Sequence, residues 1–399
     1  MNERSLERLA ELVVVTGANV QPGQVVFVTS AVEKAEIARA VAEAAYQRGA
    51  KFVDVWHFDY RVKRARIEHA AEDTLDFVPS WYGDRMLALG EQRCARIMLS
   101  GPATPGLLAD LDPARIGRDQ LPTVRETNTV VNERTTNWTA APAPTQAWAE
   151  LLYPDLGADE ALTRLWKEIE FVCRLDTPDP TDAWQERMHL LESVATRLTD
   201  RRFDALRFEG PGTDFTVGLL PSSRWMSATF TTVDGIVHMP NMPTEEVFTS
   251  PDPERAEGVV RGSKPLVLRD GTIISGLTGR FEGGRAVQIE AERGAEVLRT
   301  LCAKDEGASR LGEVALVDGD GRIGALRTVF YDTLLDENAA SHLALGSGFD
   351  FVLDEADRAR RNRSSIHIDF MIGSDEVAVT GITAHGECVP VLRRGAWQL

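Results

Sequence analysis

The chain has 399 residues, 43% of them hydrophobic, which is enough for one large or two ordinary buried cores and excludes a disordered protein. Its 61 acidic against 44 basic residues give a formal charge of −17, which disfavours nucleic acid and anionic membranes as partners and suits a soluble cytoplasmic protein. Cys94, Cys173, Cys302 and Cys388 lack C-x-x-C spacing, and no apolar run reaches the roughly 18 residues of a membrane span, so neither thiol chemistry nor a spanning helix is expected.

The first residues run into a charged helical pattern marked by Leu6, Leu9 and Val13, without the apolar core of a secretory signal. Pro22-Gly23 then turns the chain into the apolar strand Val25 to Val28. Ile37, Val41, Ala44 and Ala45 follow at helical spacing, with Gly49 where a C-terminal cap belongs. Phe52 to Trp56 and Ala95 to Ser100 read as further strands. Strand, helix, strand in this order implies right-handed crossovers and a parallel α/β sheet. Neither G-x-G-x-x-G nor the Walker pattern is present, so this half holds no nucleotide cradle and is expected to take no part in catalysis.

Ala141 to Thr145 reads as a structured connection. Two helical patterns follow it, Leu162 to Val172 and Trp184 to Leu198. The domain boundary is expected near Asp200, with residues 1–200 an α/β domain carrying a parallel sheet and 201–399 an α+β domain with a mainly antiparallel sheet. In the second half, strands are expected near 203–208, 215–220, 265–268, 286–289, 312–317 and 366–370, with turns at Asp270-Gly271 and Glu282-Gly283-Gly284. Helices are expected near 293–302 and around His342.

The chemistry concentrates in the last quarter. In Ile366-His367-Ile368-Asp369-Phe370 the β-period sends His367 and Asp369 to one face, where an imidazole and a carboxylate can ligate one divalent metal or simply pair with each other. Glu313 opens the apolar run Gly312 to Val317, where a carboxylate needs a partner or a metal. Glu245 and Glu246 follow a proline turn, and His342 lies in Ala339-Ala340-Ser341-His342-Leu343-Ala344-Leu345-Gly346. Among other residues, His238 precedes the Glu246 loop and is read as structural. The arginines of Arg358 to Arg363 are read as a solvated face.

Together with Gly210 to Leu219, these runs resemble the M29 metallo-aminopeptidases over essentially the whole length. The resemblance implies two metal ions (Zn, Co or Mn) held by Glu246, Glu313, His342, His367 and Asp369. Glu246 is preferred to Glu245 because members can carry Gly before the second Glu. Five ligands give each metal three contacts only if one carboxylate bridges, and the sequence does not say which. The resemblance also implies a homodimer and an enclosed cavity that favours short or unfolded peptides. Glu245 is the expected general base from its position alone.

One position departs from the family pattern. Seven residues after the histidine of Ala-Ser-His-Leu-Ala-Leu-Gly, members carry a tyrosine thought to assist catalysis, and this chain has Phe349. A phenol donates a hydrogen bond to an oxyanion and a phenyl ring does not, at a cost of about a hundredfold in turnover. That substitution leaves a slow enzyme, a reaction on a non-peptide amide, or rescue by another tyrosine such as Tyr331. Two rival readings stand beside the aminopeptidase. One is a mononuclear Fe(II) ring-cleaving dioxygenase using His342, His367 and Asp369, and the other is a catalytically weakened metal-binding homologue.

Overall fold

The computed structural model describes residues 3–119, 121–122, 124–268 and 271–399. Four parallel strands, Val25–Ala31, Phe52–Phe58, Ala95–Ser100 and Trp138–Pro142, form the sheet of the first half, with the Val25 strand between the Phe52 and Ala95 strands and the Trp138 strand at one edge. The edge strand is where a connection was expected. Its Pro142 sits at the strand end, a place that needs no ladder N–H. The strand also reaches beyond its own sheet: Ala140 N donates to Pro240 O (2.7 Å) and Met242 N donates to Ala140 O (2.9 Å). The first half is thereby hydrogen-bonded to the loop that leads into Glu246.

The crossover helix Ala35–Gln47 buries Ile37, Ala38, Val41 and Ala45 against this sheet, as its 3.6-residue period requires. A longer helix, Pro180–Arg201, starts with proline in its first turn, and the Asp179 carboxylate accepts from Thr181 N (2.8 Å) and Asp182 N (3.1 Å). It ends at Arg202 in the left-handed conformation.

Past residue 204 every sheet is antiparallel. An eight-stranded sheet takes strands from Ala205–Gly210 to Ala396–Trp397, and a four-stranded sheet is built from Glu246–Thr249, Leu311–Val317, His342–Gly346 and His367–Met371. The Gly283-Gly284 turn joins Thr278–Glu282 to Arg285–Glu290 with both glycines at positive φ, the requirement of a tight hairpin. Asp270 of the other expected turn lies outside the described residues; Leu266–Val267 and Ile273–Ile274 pair antiparallel on either side of it. One buried apolar core extends from Leu6 to Leu392 and includes residues of both halves.

The expected helix around His342 is corrected. A short helix, Thr333–Glu337, is capped by Asp332 accepting from Leu335 N (3.3 Å) and stops there, and His342 opens a strand. All five residues of that strand are buried, so it shows none of the alternation that would have marked it as β.

Candidate metal centre

Strand register puts the five proposed ligands on one face. Glu313 pairs with Ala344, and Ala344 with Asp369; Ala315 pairs with His342, Val317 with Glu246, and Gly346 with His367. Paired residues share a face and so do residues two apart, so Glu246, Glu313, His342, His367 and Asp369 all project the same way. Between them stand Ala315, Ala344 and Gly346, which leave the face open. At Gly346 (φ +101°) a Cβ would lie 2.2 Å from Ile366 O, so only glycine fits beside His367. The ladder slips between Leu311 and Glu313, a bulge at Gly312 that sets the direction of the Glu313 side chain.

Two groups of three ligand atoms result, each within 4.8 Å: Glu246, Glu313 and His342 in one, Glu313, His367 and Asp369 in the other. Glu313 belongs to both. Nε2 of His342 lies 3.1 Å from Glu246 Oε2, and Nε2 of His367 lies 3.1 Å from Glu313 Oε2 and 3.3 Å from Asp369 Oδ1. The opposite nitrogens face backbone carbonyls, His342 Nδ1 at 3.2 Å from Ala340 O and His367 Nδ1 at 2.8 Å from Ser347 O. With the proton on Nδ1, each Nε2 lone pair is turned toward the carboxylates, the tautomer a metal requires.

The electrostatics fit a cation. Burial pushes His342 down, but Glu246, Glu313 and Asp369 outweigh it and hold the imidazole up to about 9. His367 is likewise raised well above its ordinary value by Asp369 and Glu313 against burial. Burial, with Asp369 and Glu246 adding repulsion, raises Glu313. Protons are thus retained where divalent ions would neutralise the same carboxylates. Glu246 Oε2, buried, receives no hydrogen bond of good geometry despite its closeness to His342, as suits an oxygen aimed at a shared ion.

The ligands open into a cavity of about 630 Å³. Phe230, Phe248 and Phe349 line it beside the ligands, and Phe27, Trp56, Phe58 and Tyr82 of the first half also line it. The half expected to take no part in the chemistry therefore encloses it. Phe349 lies 5.4 Å from both the His367 and Phe248 rings and presents no donor.

Glu245, expected from its position as the general base, points away from the ligand group. It is fully buried and does not line the cavity; its carboxylate is paired with Arg187 and with Arg174 (3.2 Å) and accepts from Arg322 N (3.3 Å). Glu337, which sequence reasoning left without a role, does line the cavity. Asn241 Nδ2 donates to both Glu337 Oε1 (3.0 Å) and Glu246 Oε1 (3.3 Å), holding the two carboxylates on one amide. Burial and the charges of Asp369, Glu246 and Glu313 raise the Glu337 carboxyl well above its ordinary value. The signal was Asp336-Glu337-Asn338, three polar residues inside an apolar stretch.

His238 is buried against Trp138 and Phe230 and is not among the lining residues. In the basic run, Arg360 pairs with Asp252 (2.7 Å) and Arg361 with Asp350, which accounts for both within the fold.

A family model for thermophilic metalloproteases (M29) matches residues 2–397. Aminopeptidase T of Thermus aquaticus is 42% identical, with 98% of each chain covered. Aminopeptidase T of Thermus thermophilus is 43% identical over 99% of this chain and 98% of its own. The solved structure of wild-type AmpT from Thermus thermophilus superimposes with a TM-score of 0.87 at 42% identity, covering 100% of both chains.

Proposed function

This chain belongs to the M29 family of metalloproteases, and from that premise we propose that it is a two-metal aminopeptidase that removes N-terminal residues from short peptides. Glu246, Glu313 and His342 would hold one divalent ion and Glu313, His367 and Asp369 the other, with Glu313 as the bridging carboxylate. The observation that carries this reading is the membership of Glu313 in both ligand groups. Bound there, two ions (Zn, Co or Mn) supply Lewis-acid polarisation of a carbonyl and a water acidic enough to act at neutral pH.

The chain's own residues do the rest. The carbonyls of Ala340 and Ser347 fix the two imidazoles. Glu337, held on Asn241, takes the place first given to Glu245: its carboxylate receives a proton from the attacking water and passes it to the departing amine. The walled cavity excludes folded chains and admits a few residues of peptide. A single-iron dioxygenase site would need His342, His367 and Asp369 on one ion, and the two histidines belong to different groups. Residues 201–399 as the metal-bearing domain, residues 1–200 as its enclosing partner, a homodimer and a cytoplasmic location belong to the same reading. The charge of −17 supports the last.

Chelation followed by titration with Co, Zn or Mn tests this reading. Two equivalents per chain restoring hydrolysis of Leu-, Arg- or Met-anilide supports it; full activity at one equivalent contradicts it.

A further inference from the structure

The ligand-side wall formed by Phe230, Phe248 and Phe349 offers no side-chain donor for a carbonyl oxygen that gains negative charge. Three tyrosines line the cavity, Tyr60, Tyr82 and Tyr331. Tyr60 and Tyr82 come from the first half and pack into its aromatic cluster, on Phe58 and on Trp56 and Trp81. Tyr331 comes from the turn that leads to Glu337, and both line the cavity.

The backbone around Tyr331 is held in place from several sides. Tyr331 has φ +54°, a left-handed conformation that a bulky side chain rarely adopts. The buried Asp336 carboxylate grips both neighbours, accepting from Phe330 N (3.0 Å) and from Asp332 N (3.2 Å). Trp148 Nε1 donates to Phe330 O (2.6 Å), and the Phe330 ring is fully buried. Asp332 is itself tied down as the cap of the following helix. Such anchoring on both sides is what lets a strained residue persist, and it presents one side chain to the cavity in a fixed place. Tyr331 is half-buried on the wall, and its hydroxyl makes no hydrogen bond to any described residue.

We propose that Tyr331 is a catalytic residue, whose phenol donates a hydrogen bond to the substrate's scissile carbonyl oxygen as that oxygen takes on negative charge. This rests on the two-metal reading above. In this chain the donor that Phe349 cannot supply comes from the segment before the His342 strand, on the turn that leads into the short helix carrying Glu337.

The test is Tyr331→Phe in the full-length, metal-loaded protein. Expected are a fall in kcat of about a hundredfold or more with KM changed less than about threefold. Two metals per chain by elemental analysis should remain. Calorimetric affinity for a leucyl phosphinic dipeptide, a mimic of the tetrahedral intermediate, should fall by a similar factor, while affinity for free leucine stays put. An unchanged kcat, or a raised KM at unchanged kcat, overturns the assignment while leaving the metal reading intact. A wild-type protein that binds one metal and does not turn over overturns the metal reading and this inference with it.

Discussion

Glu245 and Glu246 adjoin in the chain, yet their carboxylates serve opposite sides of it: Glu245 is locked between Arg174 and Arg187, and Glu246 lies against His342 at the cavity. Extended backbone sends successive side chains to opposite faces, so two neighbouring glutamates at the start of a strand cannot both serve one site. The first ties helix Pro180–Arg201 to the site loop, and the second faces the cavity.

Breaking that tie should cost stability and spare the chemistry. Arg187→Met leaves Glu245 buried with a single arginine, a change of about 3–5 kcal/mol. Urea unfolding should report that loss while metal content and kcat at 25 °C hold in the folded fraction. A Glu245→Gln protein that folds, holds two metals and has lost turnover would restore the base to position 245.

Glu337 makes the contrary prediction. Glu337→Gln keeps the Asn241 contact through its amide oxygen and removes only the proton acceptor, so kcat should fall about 10²- to 10⁴-fold with both metals retained. Elemental analysis beside steady-state kinetics separates this from simple metal loss.

Phe349→Tyr places a phenol 5.4 Å, ring to ring, from His367. With Tyr331 already donating, the variant should stay within about tenfold of wild type. A gain of a hundredfold would return the donor role to position 349.

His238 gives a pH signature away from the metals. Burial holds its pKa at about 4 against the ordinary 6.5, with the Ile236 carbonyl opposing, so the folded protein keeps the ring neutral. A depressed histidine stabilises the fold fully above pH 6.5, and that contribution is lost as pH falls toward 4, roughly 3 kcal/mol in all. The stability difference between wild type and His238→Phe, followed by urea unfolding from pH 7 to pH 4, should shift against the wild type by that amount. A constant difference would contradict it.

Much of this was legible in the residues, and the misses share a cause. His367 and Asp369 were placed on one face by period 2 alone, and Glu313 by a charge in an apolar run. The His342 strand was hidden because both its faces are buried, which erases alternation. The edge strand Trp138–Pro142 was masked by the prolines at and just past its end, Pro142 and Pro144. Glu337 and the enclosing wall depend on contacts between distant segments, Asn241 to Glu337 and Ala140 to Pro240, which no local pattern encodes. The membership of Glu313 in two ligand groups emerged only when register brought three strands level.

The shared carboxylate is therefore the point to measure first: divalent metal content per chain by elemental analysis for wild type and Glu313→Ala, with anilide hydrolysis on the same samples. Two ions in the active wild type, and weakened binding of both ions in the variant, are expected of a bridge. One ion in an active wild type, or two tightly held ions in Glu313→Ala, would contradict it.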